Sequence, residues 1–261
     1  LEPVGRNTAP AIALAANSVH PDDFLFVTPW NHMITNEKMY KDCLDKAIQL
    51  ANQEYLVTFG IEPTVPETGF GYIEYSENDV LGFREKPDIE TAQKFLDTGN
   101  FLWNSGMFCF KAGVFLKELK MHSKEVYESS MPAWKSIKNN LIGLEEMSAM
   151  PDISVDYAVF EKSDKIKTIP SSFGWTDLGT FDSLIYYYEN YPDQIDVIQQ
   201  IDGIDTNTSF CIGNKKVFGI GISDIIVVDT EDCLLVLPKI KSQAVKEIYS
   251  KIKISDIDLV E

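Results

Sequence analysis

Several short segments combine charged or amide side chains with glycine in patterns that suit phosphate and sugar chemistry. Glu85-Lys86-Pro87 sets a carboxylate beside an ammonium, just before a residue that turns the chain aside. A carboxylate accepts hydrogen bonds from sugar hydroxyls and an ammonium neutralises phosphate, so the pair suits a sugar phosphate at a strand end. Taken alone, a solvated surface pair is the plainer reading. In Trp103-Asn104-Ser105-Gly106-Met107-Phe108, an amide that both donates and accepts lies inside an apolar run, where the glycine also signals a bulge. Gly174-Trp175-Thr176-Asp177-Leu178-Gly179 offers one aspartate between glycines ahead of a helix near Thr180, and Asp177 reads equally as that helix's cap or as a magnesium ligand. Gly69-Phe70-Gly71 before Tyr72-Ile73 is either a tight turn or bare backbone that a ligand approaches closely. Asp156, within Ser154-Val155-Asp156-Tyr157-Ala158, reads as a helix start or as a further polar group. The three histidines, His20, His32 and His122, are scattered, and neither a nucleophilic triad nor a G-x-x-x-x-G-K-[ST] loop is present.

Such residues need a scaffold that brings distant strand ends together. Asn7-Thr8-Ala9-Pro10 followed by an alanine-rich run predicts a capped helix, and Phe24 to Thr28 predicts a short buried strand. Met39, Cys43, Leu44, Ala47, Ile48 and Ala51 recur at helical spacing across Asn36 to Gln53, and Tyr55 to Gly60 is a second apolar strand. Tyr72 to Tyr75 and Val80 to Arg84 predict a shorter, partly antiparallel insertion, followed by a helix over Ile89 to Thr98 and a long strand over Asn100 to Lys111. Helical periodicity then runs from Phe115 to about Lys138. This alternation predicts an α/β domain with a mixed, mainly parallel sheet covered by helices. From Asp196 to Leu237 the character changes to short apolar runs between Gly, Asn, Asp and Thr turns, with a last helix over Gln243 to Ile252 and an acidic tail from Asp256 to Glu261. We therefore expect a first domain over 1–192 and a small β-rich appendix with a terminal helix over 193–261, with no internal repeat.

The 261 residues carry 23 basic and 40 acidic side chains, a net charge of −17 that opposes general affinity for nucleic acid or anionic lipid. An acidic protein that handles phosphates is expected to need a divalent cation, magnesium first among them. No apolar run approaches the roughly 20 residues of a membrane span; the longest, Ile220 to Val228, contains Ser223 and Asp224. The four cysteines, Cys43, Cys109, Cys211 and Cys233, form no C-x-x-C pair, so a reduced, cytoplasmic setting without zinc or disulfides is expected. Leu1-Glu2-Pro3 reads as the interior of a longer protein. Apolar strand edges in the appendix predict a homodimer.

Taken in order, Glu2-Pro3 with Gly5-Arg6-Asn7-Thr8-Ala9-Pro10-Ala11, Pro66-Glu67-Thr68-Gly69-Phe70-Gly71-Tyr72-Ile73, Glu85-Lys86-Pro87, Trp103 to Phe108, Asp156-Tyr157-Ala158 and Gly174 to Gly179 closely resemble the mannose-1-phosphate guanylyltransferases. Val227-Val228-Asp229-Thr230 and Lys241-Ser242-Gln243 are similar to the C-terminal portion of the bacterial type, which is often fused to a mannose-6-phosphate isomerase cupin; no cupin is present in these 261 residues. The resemblance implies a Rossmann-like nucleotidyltransferase that joins GTP and mannose 1-phosphate into GDP-mannose and pyrophosphate. It implies that Glu2, Pro3, Arg6, Asn7 and Thr8 serve the nucleotide, that Gly71, Glu85, Asn104 and Asp156 serve the mannose, that Lys86 binds its phosphate, and that Asp177 holds magnesium. Lys86 and Asp177 are then the catalytic pair.

Two departures accompany the match. The family's glycine-rich nucleotide loop lies upstream of the segment resembling Leu1 to Ala16. Thr28-Pro29-Trp30-Asn31-His32 stands where the family has Pro-Ser-Asp-His, whose aspartate is the second metal ligand, so Asn31 keeps the oxygen and loses the charge. These departures leave room for a sugar-phosphate-binding subunit without activity, or for another nucleotide or hexose.

Overall fold

The computed structural model describes residues 1–84 and 86–255; Glu85 and the expected acidic tail over 256–261 lie outside the described residues. The chain divides into two compact units. The first comprises Leu1–Trp30 and Ile34–Trp175, and the second Asn31–Met33 with the described residues from Thr176 onward.

The chain begins with helix α1 (Thr8–Asn17), strands β1 (Phe24–Val27) and β2 (His32–Ile34), helix α2 (Glu37–Asn52) and strand β3 (Leu56–Ile61). The hairpin β4 (Tyr72–Ser76) and β5 (Asp79–Arg84), helix α3 (Ile89–Thr98) and the long strand β6 (Phe101–Lys111) follow. Helices α4 (Ala112–His122), α5 (Lys124–Lys135) and α6 (Leu144–Ser148) precede strands β7 (Ile166–Ser171) and β8 (Trp175–Asp177). Local chemistry explains the starts. Asn7 caps α1, its side-chain oxygen accepting from the adjacent Thr8 amide at 2.9 Å, and Asn36 and Asp88 cap α2 and α3 by accepting from the amides three residues on, those of Met39 and Thr91. On α2, Cys43, Ala47 and Ala51 recur every fourth residue and form its buried stripe. The single helical stretch expected up to Lys138 is two helices, separated at Ser123.

Six strands form one sheet in the order β1-β6-β3-β7-β5-β4, with β4 also paired to β6. The sheet is mixed, as expected, but the pairing is not mainly parallel. β1, β3, β4 and β7 run one way and β5 and β6 the other, and because β6 lies between its neighbours it makes antiparallel ladders with β1, β3 and β4; among these strands only β3–β7 is parallel. Strand β1 is also not buried. It is an edge strand with Phe24 and Phe26 on an exposed side. Every residue of β3 is buried, because its two faces feed separate cores: Leu56 with Phe108, Phe110 and Phe160 on one, and Val57, Phe59 and Ile61 with Met107 and Phe173 on the other.

The second unit continues with α7 (Phe181–Asn190), strands β9 (Ile198–Gln200), β10 (Asp202–Ile204), β11 (Phe210–Ile212), β12 (Phe218–Ile220), β13 (Ile225–Asp229) and β14 (Leu234–Pro238), and helix α8 (Val245–Ser255). A 3-10 segment over Lys239–Ala244 delays α8 past the expected start at Gln243. β10 pairs in parallel with β12, Asp202 opposite Phe218, and β11 in parallel with β13, Phe210 opposite Ile226, so both ladders carry the same offset. The segment is therefore a short solenoid, a repeat the sequence reading did not detect. Ile198, Phe210, Ile226, Val228 and Leu237 pack with Ile185 of α7, while Cys211 and Val227 point to the opposite face with Ile201. All four cysteines are free thiols, and Cys233 alone among them is exposed.

Candidate active site

In the first unit a chain of hydrogen bonds joins residues far apart in sequence. The Asn104 backbone amide donates to the Gly71 carbonyl at 2.8 Å, and the Asn104 side-chain nitrogen donates to Asp156 Oδ1 at 2.9 Å. One residue before Asp156, the Val155 amide donates to Thr8 Oγ1 at 2.8 Å, and the Ala9 amide donates to the Ile153 carbonyl at 3.1 Å. Gly71, Asn104, Asp156 and Thr8 are thus assembled into one locality. Asp156 opens a π-helical turn over Asp156–Phe160, a rare local geometry that is frequent at functional sites.

A bulge in β6 creates the Asn104 position. Opposite Thr58 and Gly60 of β3 stand Phe108 and Asn104, so β6 holds extra residues between them. Gly106 takes φ +67° there, its amide donates to Asn104 Oδ1 at 3.2 Å, and Ser105 Oγ donates to the Phe59 carbonyl at 2.6 Å. Gly60 has to be glycine, since a Cβ would sit 2.5 Å from the Leu102 side chain. Asn104 is therefore held by its own backbone, by Gly106 and by Asp156. Burial pushes the Asp156 carboxyl above its ordinary value, and the Asn104 amide pulls it back.

The glycine turn before β4 is held from beneath. Glu67 Oε1 accepts from the Gly69 amide at 2.8 Å, and the hydroxyl of buried Tyr72 donates to the Glu67 carbonyl at 2.8 Å. Phe70 meets Trp103 and Trp175 edge to face, at 5.4 and 5.2 Å between ring centres. Sequence reasoning did not single out Glu67, Phe70, Trp103 or Trp175 as supports. The signal was present, since each adjoins or lies within two residues of a candidate glycine, Asn104 or Asp177.

The remaining candidates are less gathered. Arg6 donates through its guanidinium to the Ser148 carbonyl, Asn7 is occupied in capping α1, Pro3 is half-buried and Glu2 is exposed. Lys86 is exposed and takes φ +21°, and nothing places it against Asn104. Glu85, expected on the sugar, lies outside the described residues.

Asp177 and Asn31 belong to the second unit and touch each other. Asn31 Nδ2 donates to Asp177 Oδ1 at 2.6 Å, and the Leu178 amide donates to the Asn31 carbonyl at 3.0 Å. Asp177 is not the cap of α7. Thr180 is, in a capping box with Ser183. Burial pushes the neighbouring His32 below its ordinary value while the charge of Asp177 opposes it. Among the described residues no group of three or more His, Cys, Asp or Glu could hold a metal ion by itself. One carboxylate with an amide beside it is a partial set of the oxygen ligands that a divalent cation takes, to be completed by other oxygens.

The sheet and the sites carried on its strands and loops define a class. The chain belongs to the nucleotidyl transferase family, whose model matches residues 1–194, and residues 200–252 match a MannoseP isomerase/GMP-like beta-helix domain. More particularly, it is similar to the mannose-1-phosphate guanylyltransferase RfbM of Salmonella typhimurium, 40% identical over 98% of this chain and 57% of that protein. It is also similar to the xanthan biosynthesis protein XanB of Xanthomonas campestris pv. campestris, 37% identical over 97% of this chain and 56% of that protein. Among solved structures, a mannose-1-phosphate geranyltransferase from Thermus thermophilus superimposes with TM-score 0.78 at 26% identity, over 97% of this chain and 77% of that one. The chain spans little more than half the length of the curated relatives named here. No helix among the described residues is long and apolar enough to cross a membrane.

Proposed function

We propose that the full-length protein joins GTP and α-D-mannose 1-phosphate, releasing GDP-mannose and pyrophosphate. The observation that carries this reading is the 40% identity to RfbM across nearly the whole chain, with the sugar-side residues Gly71, Asn104 and Asp156 hydrogen-bonded into one locality. The phosphate oxygen of the sugar attacks the α-phosphorus of the nucleotide, the new P–O bond forms as the bond to pyrophosphate breaks, and no covalent enzyme intermediate is required. Asn104, fixed by three hydrogen bonds, presents its remaining amide proton to a mannose hydroxyl without further ordering cost. Gly71 lets the ring approach the backbone, Glu85 accepts from its hydroxyls, and Lys86 neutralises its phosphate. Thr8, with Glu2, Pro3, Arg6 and Asn7, serves the nucleotide, and Arg6, whose guanidinium donates to the Ser148 carbonyl, brings a positive charge to it. Asp177, beside Asn31, would hold a magnesium ion, which offsets charge between the two phosphates when bound.

We place the reaction in the cytoplasm, the protein in a homodimer through the apolar strand edges of the second unit, and a fused isomerase domain in the full-length protein, which the beta-helix match over 200–252 supports. The test is pyrophosphate release by the full-length protein with mannose 1-phosphate and magnesium, in parallel with GTP, ATP, UTP and dTTP. Turnover that prefers GTP supports the reading. Sugar-phosphate binding without turnover on any nucleotide overturns it in favour of a binding subunit, for which the amide at position 31 is the specific observation.

A further inference from the structure

The contact between Asn31 and Asp177 carries a consequence for how this protein acquires its cation. A carboxylate only accepts hydrogen bonds, so at 2.6 Å from Asp177 Oδ1 the Asn31 amide must present its nitrogen; its oxygen there would set two acceptors in contact. The contact is built rather than incidental. The Leu178 amide clamps the Asn31 carbonyl at 3.0 Å, and Gly179 leaves open the space into which the Asp177 carboxylate folds back, 2.9 Å from where a Cβ would stand. An aspartate at position 31 would bring two carboxylates to hydrogen-bond distance, and such a pair repels until a cation or a proton enters it. Asn31 removes that repulsion, at the expense of one of the two anionic ligands a resident cation would use.

We propose that Asn31 is a positioning residue that holds Asp177 in the absence of a cation, so that the free protein binds no divalent ion at Asp177 and takes one up together with the phosphates of its substrate. The second half rests on the nucleotidyl-transfer reading; the first half does not. The test uses the full-length protein without nucleotide or sugar. Manganese is titrated by the loss of its free-ion paramagnetic resonance signal, and melting temperature is followed with manganese or with a chelator. The wild type is expected to show no saturable manganese site that Asp177→Asn lacks, and a melting temperature no more dependent on the ion than that of Asp177→Asn. Asn31→Asp should melt lower in chelator, recover with manganese, and bind one ion at least about tenfold more tightly than wild type. Adding Asp177→Asn to that variant rebuilds the amide–carboxylate pair in reverse, and should return chelator-insensitive melting and abolish the gained site. A wild type that binds manganese as tightly as Asn31→Asp overturns the proposal, as does a reversed pair that still melts low in chelator. If Asn31→Asp does not fold in chelator, the reversed pair decides. Pyrophosphate release plays no part in these readouts, so its failure would count against the transfer reading alone.

Discussion

The six-stranded unit and the small solenoid bury apolar surface by different means. In the first, β3 lies inside the sheet with both faces covered, so specificity resides in large side chains such as Phe59, Phe110 and Phe115, which are fully buried. In the second, short strands stack coil upon coil, Phe218, Ile220, Leu234 and Val236 face solvent, and the tight places are backbone: a Cβ on Gly203 would run into the Gly219 carbonyl oxygen. A thick core tolerates an irregularity such as the β6 bulge, which places the amide of Asn104 beside Asp156. A stack of strands three to five residues long has no such reserve, and its tight positions are glycines.

The comparison is sharpened first by truncating one ring in each unit. Phe110→Ala removes a fully buried ring stacked on Phe115 at 4.8 Å and should cost about 3–5 kcal/mol in urea unfolding, whereas Phe218→Ala, 72% exposed, should stay within about 0.5 kcal/mol. Equal costs would break the distinction. Next, Asn104→Ala should lower kcat/KM for mannose 1-phosphate about 10–100-fold, the loss of one or two hydrogen bonds, while leaving the melting temperature near wild type, because the bulge is also held by the Ser105 hydroxyl on the Phe59 carbonyl and by the backbone amide of residue 104 on the Gly71 carbonyl. Gly203→Ala should then destabilise the solenoid by about 1–3 kcal/mol, read as faster hydrogen exchange confined to residues 198–229. The smallest effect concerns pH. Because burial raises the Asp156 carboxyl, the folded state holds that proton more tightly than the unfolded chain, so its contribution is full below the ordinary value of 3.8 and is lost as pH rises through the folded one. Asp156→Asn should abolish that loss, and urea titrations from about pH 3 to about pH 7 should show the variant gaining on wild type as pH rises.

Much of the first unit was legible because its signals are local. The Asn7 cap, the α2 stripe and the glycine inside β6 are written within a turn or a strand, and each corresponds to an observed element. Pairing direction was not legible: an apolar run has the same composition whichever way it is threaded, and β6 reversed the majority pattern. The solenoid repeat escaped because its coils share only an apolar–turn rhythm, with Cys211 opposite Val227 and Asp202 opposite Phe218. Ordered motifs named the candidate residues but not their contacts. Asn104 with Asp156, Val155 with Thr8 and Asn31 with Asp177 are pairs that only the fold brings together.

The bulge that carries Asn104 adds two residues, since β6 spends the step from 104 to 108 on the β3 step from 58 to 60. Two is an even number, so the in–out alternation of β6 is in phase on either side, and Trp103 and Cys109 both turn to the same core. Insertions or deletions here are thereby filtered by parity: a loss of both extra residues would remove the bulge yet leave the sheet's faces intact, whereas a loss of one would turn half of β6 inside out. The position that carries Asn104 can therefore be lost without losing the fold.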